Sequence, residues 1–464
     1  MRLDLLSQLE LCSNRSWLWH YSKTNSSSLL YRQTVTKLEQ ILSQKDGVSG
    51  EYKIVIAETD PIEFLATFLA GVIAETDIFL GNPDWQLQEW QQVFKLVQPE
   101  LVFGTPAIKQ LAIKNQNIKN IKTDFDEPAL IMIPTGGSSG KIKFAMHTWS
   151  TLSASVTGFQ EYFNCQEINS FCTLPLYHVS GLMQFMRSFV TNGNLIICPD
   201  KILQNRQINF KPEEYFISLV PTQLQLLIET IPNLLAKFKT VLLGGAPARR
   251  SLLNQARKYH IPLAPTYGMT ETASQIVTLK PQDFLANNNS SGLVLPHAEI
   301  QIKSKNNLDS TNKIGLINIR CNSLCLGYYP HKFTQSQFST DDLGYLDNEG
   351  YLYLVGRNSQ KIITGGENVF PTEVEAVILA TKLIKDVCVI GISDRIWGQA
   401  VTAVYVPAKL DLDLNLVKEQ IKLQLVKYKQ PKNWIEVDRL PRNNSGKINY
   451  QQVKAIAEQV ISNK

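Results

Sequence analysis

Between Tyr52 and Gly245 the chain repeats one device: a short, almost wholly apolar run, then a longer stretch that reads as helix or loop. Eight such runs occur: YKIVIA, DIFL, ELVFG, ALIMIPT, FCTLPL, NLIICP, YFISLVP and TVLLGG. A strand with no polar face must be covered on both sides. The pattern therefore predicts an α/β protein whose sheets are rich in parallel strands and flanked by helices. The stretch from Pro61 to Val72 reads as one covering helix. On such sheets ligands gather at the carboxyl ends of strands, so the loops after these runs are where chemistry is expected.

Near Asn287 the pattern changes. NNNSSG reads as a loop, and EIQIKS, GLINIRC and YLYLVGR, with short turns between them, predict an antiparallel β subdomain over about residues 290–357. A compact α+β segment follows, with a helix from Pro371, strands at DVCVIGI and AVTAVYV, a helix near Leu412 to Val426 and a last helix after Ile448. The expected division is a large domain over 1–357 and a small one over 358–464, with the boundary at about Arg357 to Lys361. No internal repeat or low-complexity segment interrupts this order.

Composition narrows the function classes. The net charge of +5 is small for 464 residues, and no Lys/Arg run forms a stripe, which argues against a nucleic-acid partner. No segment approaches the roughly 18 apolar residues of a membrane span, and MRLDLLSQLELC lacks a signal-peptide core. Seven irregularly spaced cysteines, mostly in apolar runs, read as reduced thiols of a cytoplasmic protein. Cys321 and Cys325 have metal-like spacing but no second pair, so thiols of the core or surface are the better reading.

Three segments carry chemistry. Directly after ALIMI comes Pro134-Thr-Gly-Gly-Ser-Ser-Gly-Lys141, in which Thr135, Gly136, Gly137, Ser138, Ser139 and Gly140 combine small residues with hydroxyl donors. Such a loop lets backbone N–H groups approach a phosphate closely, and Lys141 and Lys143 add charge. It is not a nucleotide-hydrolase P-loop, because Thr135 stands at the first glycine and Ile142 follows the lysine. The bland alternative is a flexible linker. LPLYHVSGL places His178 after a strand end, where a lone histidine is more often structural than catalytic. TYGMTETAS offers an aromatic ring for a base, hydroxyls for phosphate and one carboxylate for Mg²⁺. Its alternative is a helix start capped by Thr270 or Thr272.

Taken in order, IPTGGSSGKIKFAMHT, LPLYHVSG, LLGGAPA, TYGMTETAS, STDDLGYLDNEGYLYLVGRNSQKIITGGENVFPTEVE and LPRNNSGKI resemble the adenylate-forming superfamily of acyl–CoA ligases, peptide-synthetase adenylation domains and luciferases. The resemblance covers about residues 130 to 450. It implies ATP, Mg²⁺ and coenzyme A as ligands, an AMP-binding and acyl-binding large domain, and a mobile C-terminal lid. By matched position, Thr135 to Gly140 and Lys143 would hold the ATP phosphates. Gly244, Gly245 and Ala246 would line the adenine and acyl pockets. Tyr267, beside Gly268, would stack on adenine, Thr270 would touch phosphate and Glu271 would bind Mg²⁺. Asp342, supported by Arg357, would take the ribose hydroxyls, and Lys447 would reach the carboxylate and α-phosphate. His178 would sit by the acyl carboxylate. Lys361, Gly365, Gly366 and Glu367 would line the route of the CoA thiol.

The serine of YHVSGL and the wording YGMTETASQIVTL resemble the o-succinylbenzoate–CoA ligase branch, of menaquinone or phylloquinone synthesis. That branch implies an aromatic acid with a second carboxylate, for which Ser180 and Thr272 to Ser274 are candidate contacts. Departures from the family pattern are Ile142 for Pro, Phe144 for Gly, Asp341 for Gly and Gln360 at the hinge acid. The alternatives are a ligase for another aryl or short acid, or a stand-alone adenylation protein that loads a carrier protein. A silent binding protein is disfavoured by the joint presence of Glu271, Asp342 and Lys447. The partners expected are small-molecule substrates, and a homodimer is compatible with this reading.

Overall fold

The computed structural model describes residues 2–21, 25–46, 52–114, 129–136, 141–203, 210–303, 313–442 and 448–462. The chain divides into two compact units. One comprises Met1–Pro247, Ala256–Glu299 and Arg320–Phe338; the other comprises Ala248–Gln255, Ile300–Ile319 and Ser339–Lys464.

The first unit contains two mixed sheets. In one, Lys53–Ala57 lies between Asp77–Leu80 and Leu101–Gly104, all parallel. Ile131–Gly136 adds in parallel beyond Asp77–Leu80, and then Ile142–His147 and Gly327–Tyr328 add antiparallel. In the other, strands from Leu18–His20 to Leu263–Met269 are parallel, and Ser274–Thr278 and Leu293–Val294 close the edge antiparallel. The eight apolar runs all form strands, because a run with no polar face is stable only when covered twice.

The covering helices explain themselves locally. Asp60 caps Pro61–Ile73 by accepting from Ile62 and Glu63 N–H at 2.8 and 3.0 Å, with Pro61 at the first turn. This helix is apolar nearly all round and buried from Phe64 to Ile73, as a helix without a polar face must be. Gly71 is what lets it lie so close, since a Cβ there would meet Ile54 and Ile78 at 2.8–2.9 Å. Phe68 of this helix meets Phe185 of the helix Val179–Val190 edge-on, joining both into one core.

The second unit holds a four-stranded sheet, Ala298–Lys303, Gly315–Cys321, Phe338–Leu346 and Leu352–Arg357. It also holds a five-stranded sheet built on the long hairpin Ile384–Asp394 and Gly398–Pro407. Helices Pro371–Ala380, Leu414–Lys422 and Tyr450–Ser462 complete it. The expected helix near Leu412 to Val426 is shorter than its apolar pattern suggested, with a single tight turn at Lys427–Lys429 after it. Among the described residues no helix is long and apolar enough to cross a membrane.

Candidate active site

The hydroxyl-rich stretch after ALIMI begins on one strand and is followed by that strand's antiparallel partner. Ile131–Gly136 returns as Ile142–His147, with Thr135 opposite Lys143. A P-loop opens a helix, so the difference seen in the residues extends to the backbone. Gly137, Ser138, Ser139 and Gly140 lie outside the described residues. Lys143 is exposed, and its Nζ stands 5.2 Å from the centre of the Tyr328 ring, a cation–π distance.

Tyr328 is a residue that motif reading missed. It lies opposite Ala145, and its hydroxyl donates to Glu271 Oε1. Burial first, and then the Glu271 charge, push its phenol well above the ordinary value, so it remains a donor. Glu271 is 8% exposed. It sits on one tight turn, Thr270–Thr272, between the strands Leu263–Met269 and Ser274–Thr278. The alternative of a capped helix start is therefore not what forms. The chain reverses instead, with Ala273 at φ 50° and Ser274 at φ 93°.

That reversal is held from four directions. His147 Nε2 lies 2.8 Å from the Thr270 carbonyl, and Cys325 N–H donates to that of Glu271 at 2.8 Å. Ser323 Oγ donates to the Thr272 carbonyl at 2.9 Å and Ser155 Oγ to that of Ala273 at 2.7 Å. Four consecutive carbonyls thus have separate donors, which fixes the Glu271 side chain's origin before any ligand arrives. A carbonyl only accepts, so His147 carries its proton on Nε2. Burial lowers its pKa to about 4 against the opposing pull of that carbonyl, so the ring is neutral at pH 7.

Other expected residues of the first unit lie at strand ends or at a helix start. Gly244 follows Thr240–Leu243, and a Cβ on it would meet Thr266 Oγ1 at 2.6 Å. Gly245, at φ 80°, and Ala246 are exposed. Tyr267 is packed into the sheet at 6% exposure. Gly268 is required where it stands, because a Cβ would meet the Ser274 carbonyl at 2.1 Å. His178 is the N-cap of Val179–Val190, half-buried against Tyr177 with ring centres 4.6 Å apart. Ser180 lies in that helix's first turn. Thr272 Oγ1 accepts from Met269 N–H at 3.0 Å and donates to the Ser274 carbonyl at 2.7 Å, so its hydroxyl is occupied within the turn.

The remaining expected residues lie in the second unit. Asp342 and Arg357 are directly opposite on neighbouring strands, with Nε 3.3 Å from Oδ1. Asp341, the departure from glycine, accepts from the N–H and hydroxyl of Ser359 and so caps the turn Asn358–Gln360. Lys361 ends that turn. Gly365 and Gly366, at φ 59° and 84°, form the two-residue turn between Ile362–Thr364 and Glu367–Val369, a hairpin that demands positive φ twice. Glu367 is exposed. Lys447 lies outside the described residues.

No group of three or more metal-ligating side chains occurs among the described residues. Mg²⁺ does not need one, because it is commonly held by one or two carboxylates with substrate phosphates and water. A buried, hydrogen-bonded Glu271 fits that donor set.

Comparison with known proteins gives matches over most of the chain. Residues 30–329 match the family model of AMP-binding enzymes, and 373–447 match the AMP-binding enzyme C-terminal domain. A 2-succinylbenzoate–CoA ligase from Enterococcus faecalis is 35% identical over 387 residues, covering 81% of this chain and 78% of that protein. The o-succinylbenzoate CoA synthetase of Bacillus subtilis, solved with its acyl-adenylate intermediate, superposes with a TM-score of 0.83 at 26% identity, covering 97% of each chain. The same enzyme with ATP and magnesium ion gives 0.84, covering 97% of this chain and 99% of that one.

Proposed function

This chain belongs to the AMP-binding enzyme family, and from that membership we propose that it is an ATP-dependent 2-succinylbenzoate–CoA ligase. The observation that carries the reading is the Lys143–Tyr328–Glu271 chain of contacts beside a carbonyl-locked turn. It sits in a sequence alike over most of its length to a ligase of that acid.

The chemistry follows from what a carboxylate lacks, a leaving group. Its oxygen attacks the α-phosphorus of ATP, the bond to pyrophosphate breaks, and an acyl-AMP forms. The CoA thiolate then attacks the acyl carbonyl, and AMP leaves with the bonding electrons. Two anions must meet in the first step, so positioned positive charge and hydrogen-bond donors lower the barrier. Bound Mg²⁺ would neutralise phosphate charge. In our reading Glu271 holds that ion, Lys143, Thr135 and the glycine-rich loop hold the phosphates with Thr270, and Tyr267 lies against adenine beside Gly244 to Ala246. Asp342, aligned by Arg357, takes the ribose hydroxyls. Lys447 supplies charge during adenylation, while Lys361 and Gly365 to Glu367 serve the thiol step. Both groups lie on the segment 358–464, which we assign as a lid that takes a different pose in each half-reaction. His178 and Ser180 border the acyl group. Seven free cysteines, five of them buried, support a cytoplasmic setting.

A panel of aryl and short-chain acids tests this reading, with CoA thioester and AMP measured for each. The expected result is highest kcat/KM for 2-succinylbenzoate. Release of ADP, or a clear preference for an unrelated acid, would overturn it.

A further inference from the structure

Asp386 holds two arginines at once. Its Oδ1 accepts from Arg249 Nη2 at 2.7 Å and its Oδ2 from Arg442 Nη2 at 2.5 Å, across 137 and 56 residues of sequence. All three belong to the second unit. The strand Ile384–Asp394 is irregular where Asp386 stands. Its register against Gly398–Pro407 shifts between Ile384 and Asp386, a bulge that leaves Lys385 without a partner across the ladder. Arg249 Nη1 donates to the Lys385 carbonyl at 3.2 Å, so one guanidinium spans both residues. Val387 N–H donates to Asp386 Oδ1 at 3.2 Å and braces the carboxylate from its own strand.

Arg442 is the described residue that precedes the segment 443–447, which ends at Lys447. It faces Ile448 in an antiparallel bridge, and Asn449 N–H donates to the Pro441 carbonyl at 2.9 Å. The two ends of the segment are thus fastened to each other. Beyond Ile448 the helix Tyr450–Ser462 buries Val453 and Ala457 in a cluster with Cys388 and Ile390. Before Arg442, Leu440 enters the same cluster. Asp386 adds the one charged hold on this base that the described contacts show. The Asp386 side chain is 21% exposed, and those of Arg249 and Arg442 are 49% and 38% exposed. Ion pairs so open to water add little stability, because solvent screens them and long side chains lose freedom. What they can fix is direction, since each carboxylate oxygen is committed to a different planar guanidinium.

We propose that Asp386 is a positioning residue for acyl-AMP formation: held by Arg249, it holds Arg442 and so sets where the chain departs toward Lys447. The assignment rests on the role given to Lys447 in the reading above. A residue that acts through Lys447 must slow the half-reaction that Lys447 serves and spare the other.

The test measures two steps in the wild type, Asp386→Asn, Arg442→Gln and the double variant. One is ATP–pyrophosphate exchange with 2-succinylbenzoate; the other is conversion of supplied acyl-AMP to thioester by CoA. Lys447→Ala calibrates the split, and thermal unfolding is the folding control. Asp386→Asn should lose about 5-fold in kcat of exchange, the upper range for a pair this exposed. The KM values for ATP and acid, and the thioester step, should change little. Arg442→Gln should lose a similar factor, and the double variant no more than either, because both remove one contact. Equal slowing of both steps would mean that Asp386 only braces the fold, and unchanged exchange would remove it from the reaction. Either result, or additive losses in the double variant, overturns the proposal. If Asp386→Asn does not fold, Arg442→Gln is read by the same criterion. A Lys447→Ala protein with full exchange overturns the assignment and leaves the ligase reading standing. A wild type without acid-dependent exchange overturns the ligase reading, and the assignment with it.

Discussion

Tyr328 stands between two opposite charges, its ring beneath the Lys143 ammonium and its hydroxyl on Glu271. Removing only the hydroxyl separates these roles. Tyr328→Phe keeps the surface for Lys143 but leaves a buried carboxylate oxygen without its donor. The expected outcome is a loss of roughly 10-fold in ATP–pyrophosphate exchange, from a charge-assisted hydrogen bond. Glu271→Gln should lose about 100-fold or more, as for a contact made to charge in the transition state, with unfolding temperature little changed. A Glu271→Gln protein with full exchange would show that the carboxylate has no part in the chemistry. At this scale the sequence was only partly legible. Glu271 declares itself within TETAS, but Tyr328 is 57 residues away in a stretch that reads as a turn. Nothing local ties it to Glu271; the antiparallel pairing of Gly327–Tyr328 with Ile142–His147 does.

Among the elements, the helix Pro371–Ala380 and the strand Ile384–Asp394 hold Glu375 half-buried between them, with its Oε1 accepting from Val389 N–H at 2.8 Å. Burial raises its pKa from 4.5 to about 7, a rise that the Val389 N–H opposes. The folded chain therefore holds this proton across a window where the unfolded chain has lost it. Stability should fall as pH rises from about 4.5 to about 7 and stay low above that. Glu375→Gln keeps the Val389 bond and removes the charge. It should raise stability at pH 8 by roughly 2–3 kcal/mol at most, with little effect at pH 5. Denaturant unfolding at the two pH values measures this, and an unchanged difference between them would contradict it. Elements themselves were largely legible, since each apolar run became a strand. The antiparallel strand at Ile142–His147 was not, because the glycine-rich loop drew attention to phosphate and away from the pairing of Thr135 with Lys143.

For the whole molecule, the two half-reactions of the proposed function belong to different parts of the segment 358–464. Lys447→Ala should cripple acyl-AMP formation yet still convert supplied acyl-AMP to thioester. Gly366 sits at φ 84° with open space beside it. Gly366→Val should therefore strain the hairpin and slow the thioester step while sparing exchange. Equal slowing of both steps in either variant would remove the division. Family membership was legible because motifs from residue 130 to 450 occur in one order, whereas the grouping of elements into units depends on contacts distant in sequence. The central claim is that the acid's own oxygen displaces pyrophosphate from ATP, and one isotope experiment reaches it most directly. Turnover of 2-succinylbenzoate labelled with ¹⁸O in the activated carboxylate, with ATP, Mg²⁺ and CoA, should yield AMP carrying one ¹⁸O atom and unlabelled pyrophosphate. Label in orthophosphate, with ADP as the nucleotide product, would contradict it.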